Sequence, residues 1–113
     1  MTKEKLRQYR RIKKESDWIR HRITALEAMA PSPTVKELIG PLQDKYNARL
    51  DGLVQDEIEI LDALLDLNPR ELEVVQAYYF DGMTWEQVAR STFQSISTVH
   101  RLHGAALRKM RGK

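Results

Sequence analysis

Side chains suited to contact a nucleic acid are concentrated near the carboxyl end of the chain. The hydroxyls of Ser95, Ser97 and Thr98 can hydrogen-bond to phosphate oxygens or to base edges. Arg101 can reach a guanine or a phosphate, because its guanidinium presents several donors in one plane. Further basic residues would add an attraction to phosphates that is independent of base sequence, and these are Arg90, Arg108, Lys109, Arg111 and Lys113. The group as a whole predicts DNA binding rather than catalysis.

Patterns typical of catalysis or metal binding are weak in this sequence. His100 and His103 lie three residues apart, but no third ligand is placed near them and two histidines do not complete a metal site. Acidic residues in the middle of the chain are spaced to lie on an exposed helix face, and these are Asp56, Glu57, Glu59, Asp62 and Asp66. There is no glycine-rich phosphate loop and no nucleophile motif. We therefore expect no enzyme, no catalytic residue, no metal and no cofactor.

The charge of the chain is unevenly distributed. The net charge of the 113 residues is +3 and the pI is about 9.3. Residues 1–22 contain nine basic and three acidic residues, residues 23–73 four and eleven, and residues 74–113 six and two. Two basic ends therefore flank an acidic middle, a balance that permits an anionic partner.

Length and hydropathy restrict the class of protein. A chain of 113 residues fits one small domain, or a compact domain with an arm, and is too short for a large multidomain enzyme. The longest apolar run, residues 77–80, is far below the roughly 20 residues of a membrane span. Cysteine is absent, which excludes disulfides and is typical of a reducing cytoplasm. These features predict a cytoplasmic protein without a membrane partner.

Apolar residues in the first half of the chain recur at helical spacing. From Leu6 they follow steps of three and four residues, which predicts a first helix that ends at residues 30–33, where two prolines occur. Gly40-Pro41 predicts a short turn or loose connector before a second helix from about Leu42 to Asp66. We expect the two helices to form an antiparallel hairpin. The alternative is an intermolecular coiled coil, and a homodimer could use the same surface.

Capping signals divide the second half of the chain into shorter helices. Asn68-Pro69-Arg70-Glu71 begins a third helix that ends at Asp81-Gly82, and Thr84-Trp85-Glu86-Gln87 begins a fourth. After a turn at residues 91–94, Ser95 can cap a fifth helix. The predicted fold class is therefore all-α, with a helical hairpin arm over residues 1–67 and a three-helix domain over residues 68–113.

The last two helices have the spacing of a helix-turn-helix. Ala89 falls where they would cross, and a small residue is needed there because the helices approach closely. Val99, ten residues later, would fill the space beneath the crossing. Such a motif presents the first turns of its second helix to the major groove of DNA.

Residues 68–110 resemble region four of bacterial sigma factors. The resemblance is carried by Thr84-Trp85-Glu86-Gln87-Val88-Ala89, by Ser95 and Val99, and by Ala106-Leu107-Arg108-Lys109-Met110. Residues 79–86 and 99–107 look still more like small sigma-like proteins encoded by phages and prophages of Gram-positive bacteria. Over the first 65 residues the resemblance is limited to the presence of a helical amino-terminal region, without a specific motif.

The resemblance implies a DNA-binding protein that recruits or steers RNA polymerase at a promoter. It places Ser95 at the cap of the recognition helix and assigns the groove-facing positions to Ile96, Ser97, Thr98, His100 and Arg101. Thr84 and Trp85 are further candidates for DNA contact, the indole N–H of Trp85 being a possible phosphate donor. Phe93 stands where the family usually has glycine or asparagine, and a bulky residue with positive φ would be strained there, so we expect a turn that is longer or differently shaped.

Two functions from different classes remain open. The first is a DNA-binding transcriptional regulator, and the alternative is an adaptor or anti-activator that binds RNA polymerase without binding DNA. The weakly charged start of the recognition helix motivates the alternative. The role of the basic run near the amino end is also open. Three roles are compatible with the sequence: a solvated helix face, a second DNA contact, and a surface that docks on the acidic middle of the chain. Its members are Lys3, Lys5, Arg7, Arg10, Arg11, Lys13 and Lys14.

Overall fold

The chain folds into helices that are joined by short connections. The computed structural model describes residues 3–29 and 32–111, and within these ranges it contains no strand. The helices are α1 (Lys3–Arg7), α2 (Tyr9–Ala28), α3 (Pro33–Leu64), α4 (Pro69–Val75), α5 (Trp85–Ser91) and α6 (Ile96–Arg111), and a π-helical turn, Gln76–Phe80, continues α4. The predicted all-α class is confirmed. No described helix is both long and apolar enough to cross a bilayer.

The predicted interruption at Gly40-Pro41 is wrong, because α3 runs without a break from Pro33 to Leu64. A stripe of buried and half-buried side chains continues through this point at steps of three and four, namely Val35, Ile39, Gln43, Tyr46, Leu50, Leu53, Glu57, Ile60 and Leu64. Pro41 is itself exposed, so the carbonyl that loses its helical partner can bond to water. At the start of the helix, Ser32 accepts a hydrogen bond from the Val35 amide at 3.3 Å. The predicted end of the first helix falls partly on Ala30 and Pro31, which lie outside the described residues.

The described residues form two compact units, one of residues 3–10 and 58–111 and one of residues 11–57. The first helix and the end of α3 thus belong to the same unit as the carboxyl-terminal helices. The predicted division into a helical hairpin arm of residues 1–67 and a domain of residues 68–113 stays a prediction.

In the unit of residues 11–57, α2 and α3 contact each other through polar and aromatic side chains. Ser16 is fully buried, and its hydroxyl donates to the Glu57 carboxylate at 2.5 Å. Beside this bond, Arg49 donates to Glu15 at 2.9 Å. The rings of Trp18 and Tyr46 meet edge to face with centroids 6.1 Å apart. A buried polar pair between two helices favours one register of the helices over its alternatives.

In the other unit, α4, α5 and α6 surround a common core. Its buried members are Val74, Ala77, Val88, Ala89, Val99 and Leu102. Ala89 and Val99 are both buried, as predicted for the crossing of α5 and α6. Burial of a valine or leucine side chain stabilises the folded state by about 1.5–3 kcal/mol. This core therefore holds the three short helices together.

The predicted caps of α4, α5 and α6 are confirmed. Asn68 and Glu71 form a complete capping box at α4, as do Thr84 and Gln87 at α5. Ser95 accepts from the Thr98 amide at 3.1 Å. Gly82 ends the preceding helical segment at φ 72°, a left-handed conformation that glycine adopts without strain.

Glu71 has a second partner that the capping signal did not predict. Its side chain is 4% exposed, and its Oε1 accepts from the Asn68 amide and, at 2.6 Å, from Lys109 Nζ on α6. Burial alone would raise the pKa of Glu71, but the hydrogen bonds from Lys109 and Asn68 and the ammonium charge outweigh burial and leave the pKa below its ordinary value. This ion pair ties α6 to the start of α4.

Tyr79 and His103 form a buried polar contact between the π-helical turn and α6. The Tyr79 hydroxyl and His103 Nε2 are 2.7 Å apart. Burial raises the pKa of Tyr79 to about 12. Burial, aided by the positive charges of Lys3, His100 and Arg7, lowers the pKa of His103 to about 4. His103 is therefore neutral in the folded protein over the physiological range.

The lowered pKa of His103 predicts a loss of stability in mild acid. An unfolded histidine binds a proton below about pH 6.5 whereas folded His103 does not, so the free energy of unfolding should fall by about 2 kcal/mol between pH 7.5 and pH 5. Urea unfolding followed by circular dichroism measures this change. His103→Gln should flatten the dependence, while His21→Gln, at an exposed position of α2, should retain it. If the free energy of unfolding changed equally with pH in the wild type and in His103→Gln, the prediction would be contradicted.

The turn between α5 and α6 requires a positive φ at a phenylalanine. Phe93 has φ 56° and is 96% exposed, so the chain takes the strained conformation instead of the longer or differently shaped turn expected from the sequence. A residue with a Cβ loses about 1–2 kcal/mol in this conformation, and the exposed ring forms no core contact that would offset the loss.

Replacing Phe93 by glycine should therefore stabilise the protein by about 1 kcal/mol. Phe93→Ala is the matched control, because alanine removes the ring but keeps the Cβ and should leave stability nearly unchanged. Thermal or urea unfolding of the three proteins gives the comparison. If the alanine and glycine variants were equally stable, the turn would not carry the strain assigned to it.

Candidate nucleic-acid interface

A tight turn joins α5 to α6 and fixes how the two helices cross. The Gln94 amide donates to the Ala89 carbonyl at 2.9 Å, and the Phe93 amide donates to the Arg90 carbonyl at 3.3 Å. Beneath the turn, Ala89 and Val99 are both buried in the common core. The two helices thus have the arrangement of a helix-turn-helix, in which α6 is the second helix.

The start of α6 carries the predicted groove-facing residues, and most of them are exposed. Ser97, His100 and Arg101 follow one another at steps of three and one, which places them on neighbouring faces of the helix that point away from the core. Ile96 is 42% exposed. These four side chains are available to a ligand that lies along the first two turns of α6.

Ser95 and Thr98 are occupied by the helix cap. The Ser95 hydroxyl accepts from the Thr98 amide and lies 3.0 Å from the Thr98 hydroxyl oxygen. Thr98 is half-buried, whereas Ser95 is exposed. Ser95 can therefore still reach a ligand, but Thr98 mainly shapes the start of the helix.

Thr84 and Trp85 connect the predicted interface to the core. Thr84 is exposed and uses its hydroxyl oxygen to cap α5. Trp85 is half-buried and stacks on Tyr78, with ring centroids 3.8 Å apart and planes at 7°. Its ring also lies 5.1 Å from that of His100, so the start of α5 is adjacent to the groove-facing part of α6.

The predicted basic residues are not equivalent in the structure. Arg90, Arg101 and Arg108 are exposed. Lys109 is paired with buried Glu71, so it contributes to stability as well as to the local positive charge. Lys113 lies outside the described residues. Because the sequence contains no Asp or Glu after Glu86, the last part of α5, the turn and all of α6 carry no carboxylate.

Two arginines of the amino-terminal basic run lie beside α5, a placement that sequence reasoning did not predict. In the unit of residues 3–10 and 58–111, Leu6 of α1 is fully buried and Tyr9 stacks on Phe80 with centroids 4.0 Å apart. This packing places Arg7 and Arg10 at a cavity near Thr84. The run of basic residues was visible in the sequence, but helical spacing gives no indication of where α1 packs.

Within the described ranges, no group of three or more His, Asp or Glu side chains is placed to hold a metal ion. His100 and His103 also differ in environment, since His100 is exposed and His103 is bound to Tyr79 in the core. The exposed side chains at the starts of α5 and α6 include hydroxyl, imidazole and guanidinium groups.

The carboxyl-terminal segment matches a known family. Residues 63–112 match the family model for Sigma-70, region 4. No curated protein and no solved structure gives a significant match to the chain. The match covers α4, α5, α6 and the connections between them, together with the last residues of α3. Residues 63–112 are therefore a sigma region-four-like helix-turn-helix, the kind of domain found in DNA-binding transcription regulators.

Proposed function

We propose that this protein binds promoter DNA through α6 and acts on transcription by contacting RNA polymerase. The observation that carries the proposal is the exposed start of α6, where Ser97, His100 and Arg101 project from a helix-turn-helix that has no carboxylate after Glu86. In such a motif the second helix enters the major groove and its first turns reach the base edges. The remaining arginines attract the phosphate backbone.

The region-four-like domain supports the polymerase contact, since region four of sigma factors works at the promoter together with polymerase. The likeness of residues 79–86 and 99–107 to phage and prophage regulators supports a regulator of that type. Such a protein works in the cytoplasm, where bacterial DNA and polymerase are found, and needs neither an enzymatic activity nor a cofactor.

Arg101→Ala tests the role assigned to α6. A base contact predicts a loss of about 10- to 100-fold in affinity for the preferred site, and a phosphate contact predicts a salt slope that is smaller by about 0.9. Fluorescence anisotropy with labelled duplexes at several salt concentrations measures both quantities. Arg11→Ala, which removes an exposed arginine from α2 in the other compact unit, is the matched control. Identical binding by the wild type and Arg101→Ala would refute the assignment of α6.

The second candidate function is an adaptor that binds RNA polymerase without binding DNA. Phe93 and Ile96 favour it, because they are 96% and 42% exposed and stand together at the turn of the motif, where apolar side chains suit a protein partner. Polymerase capture by the wild type, together with no affinity for any duplex at low salt, would establish this function in place of the first.

We also propose that the protein forms a homodimer through its long helices. Near the end of α3, Ile58, Leu61 and Leu65 are 61%, 46% and 81% exposed and lie at steps of three and four. A stripe of this kind on one helix face is typical of a coiled-coil contact between two chains.

Leu61→Ser combined with Leu65→Ser should shift the protein from dimer to monomer in sedimentation equilibrium, because the contact loses most of its apolar area. Ile96→Ser, which removes an exposed apolar side chain from α6, should leave the molar mass unchanged. A wild type that is monomeric at every concentration would exclude this dimer.

A further inference from the structure

A cavity of about 450 Å³ lies beside the start of α5, within the unit of residues 3–10 and 58–111. Arg7 and Arg10 line it together with Tyr78, Thr84 and Trp85. Glu86 is the single carboxylate among the lining residues, so the two guanidiniums leave the cavity with an excess of positive charge. A cavity of this composition favours an anion.

The guanidinium of Arg10 lies close to the backbone of the connection before α5. Gly82 has φ 72°, and a Cβ added there would lie 2.9 Å from Arg10 Cζ. The guanidinium of Arg10 therefore lies over this glycine turn, beside the start of α5.

The basic residues of the first helices differ in their partners. Lys5 pairs with Glu59, and Lys13 pairs with Asp17 at 3.1 Å. Neither Arg7 nor Arg10 belongs to an ion pair with any residue in the ranges 3–29 and 32–111. Their charges are available to a ligand in the cavity.

The cavity adjoins the part of the motif that faces DNA. Trp85 lines the cavity, and its ring is 5.1 Å from His100 on the exposed start of α6. When the second helix of a helix-turn-helix enters the major groove, the first helix crosses the phosphate backbone. Groups at the start of α5 would therefore face phosphates, and the Thr84 O–H can donate to one.

We propose that Arg7 and Arg10 bind backbone phosphates of the DNA at this cavity and so extend the interface beyond the helix-turn-helix. The proposal rests on the proposed DNA-binding function. Two guanidiniums on one side of a cavity suit phosphate oxygens, because each presents paired donors in a plane and is weakly hydrated. A contact to the backbone adds affinity and fixes the position of the protein on the duplex without reading bases.

The test compares two pairs of substitutions that change the charge equally. Arg7→Gln with Arg10→Gln removes both cavity arginines, and Arg11→Gln with Lys14→Gln removes two exposed cations of α2 that do not line the cavity. Anisotropy titrations of labelled duplexes of several sequences, over a range of salt concentrations, give the affinity and the salt slope of each protein.

The cavity variant should lower the salt slope by about 1 to 2 and weaken binding to a similar extent for every duplex sequence. The control variant should bind with nearly the wild-type slope. Arg7→Lys with Arg10→Lys keeps the charges and should restore most of the slope, which separates loss of phosphate contact from loss of folding. Circular dichroism of each variant verifies that the helices remain.

Equal salt slopes of duplex binding for the cavity variant and the control variant would overturn the proposal. The function proposed for α6 would still stand if Arg101→Ala weakened binding in the same assay. No affinity of the wild type for any duplex would overturn both. Inorganic phosphate, titrated at constant ionic strength, separates DNA phosphates from a free anion. Calorimetric binding of inorganic phosphate that depends on the two arginines, with an unchanged duplex slope, would assign the cavity to a free anion and refute the DNA contact.

Discussion

The close crossing of α5 over α6 is the constraint on which the rest of the site depends. Ala89 and Val99 are buried where the helices meet, and a larger residue at either position would force them apart. Only three residues connect the end of α5 to the cap of α6, and one of them, Phe93, takes the left-handed conformation. The same crossing directs the first turns of α6 away from the core, which is the property that a recognition helix needs.

Around this crossing, an aromatic cluster connects the core to the surface. Tyr79 and His103 meet in the interior, Tyr78 stacks on Trp85, and Trp85 reaches the neighbourhood of His100. The ring contacts thus continue from the core to the proposed interface. Tyr78 and Tyr79 are consecutive in the π-helical turn, and their rings meet edge to face with centroids 4.9 Å apart, so the two tyrosines join the Trp85 contact to the His103 contact.

The capped carboxyl-terminal helices could be predicted from sequence because their signals are local. Asn68 with Glu71, Thr84 with Gln87, and Ser95 each act within one turn of helix, and the structure retains all of these caps. Features that depend on distant contacts could not be predicted in this way. Pro41 indicated a break, but the apolar stripe on both sides of it keeps α3 continuous. Lys109 looked like a free cation until its buried partner on α4 was known. The placement of α1 beside α5 leaves no trace in helical spacing.

The division of the chain into compact units has a consequence for its synthesis. Residues 3–10 emerge from the ribosome before residues 11–57, yet the segment that completes their unit, residues 58–111, is made after both. Residues 11–57 can pair as soon as they emerge, since their partners are near in sequence. Leu6 stays exposed until residues 58–111 have been released. Arg7 and Arg10 would then join α4, α5 and α6 only after residues 58–111 have been made, so a shorter nascent chain would lack the proposed phosphate contact.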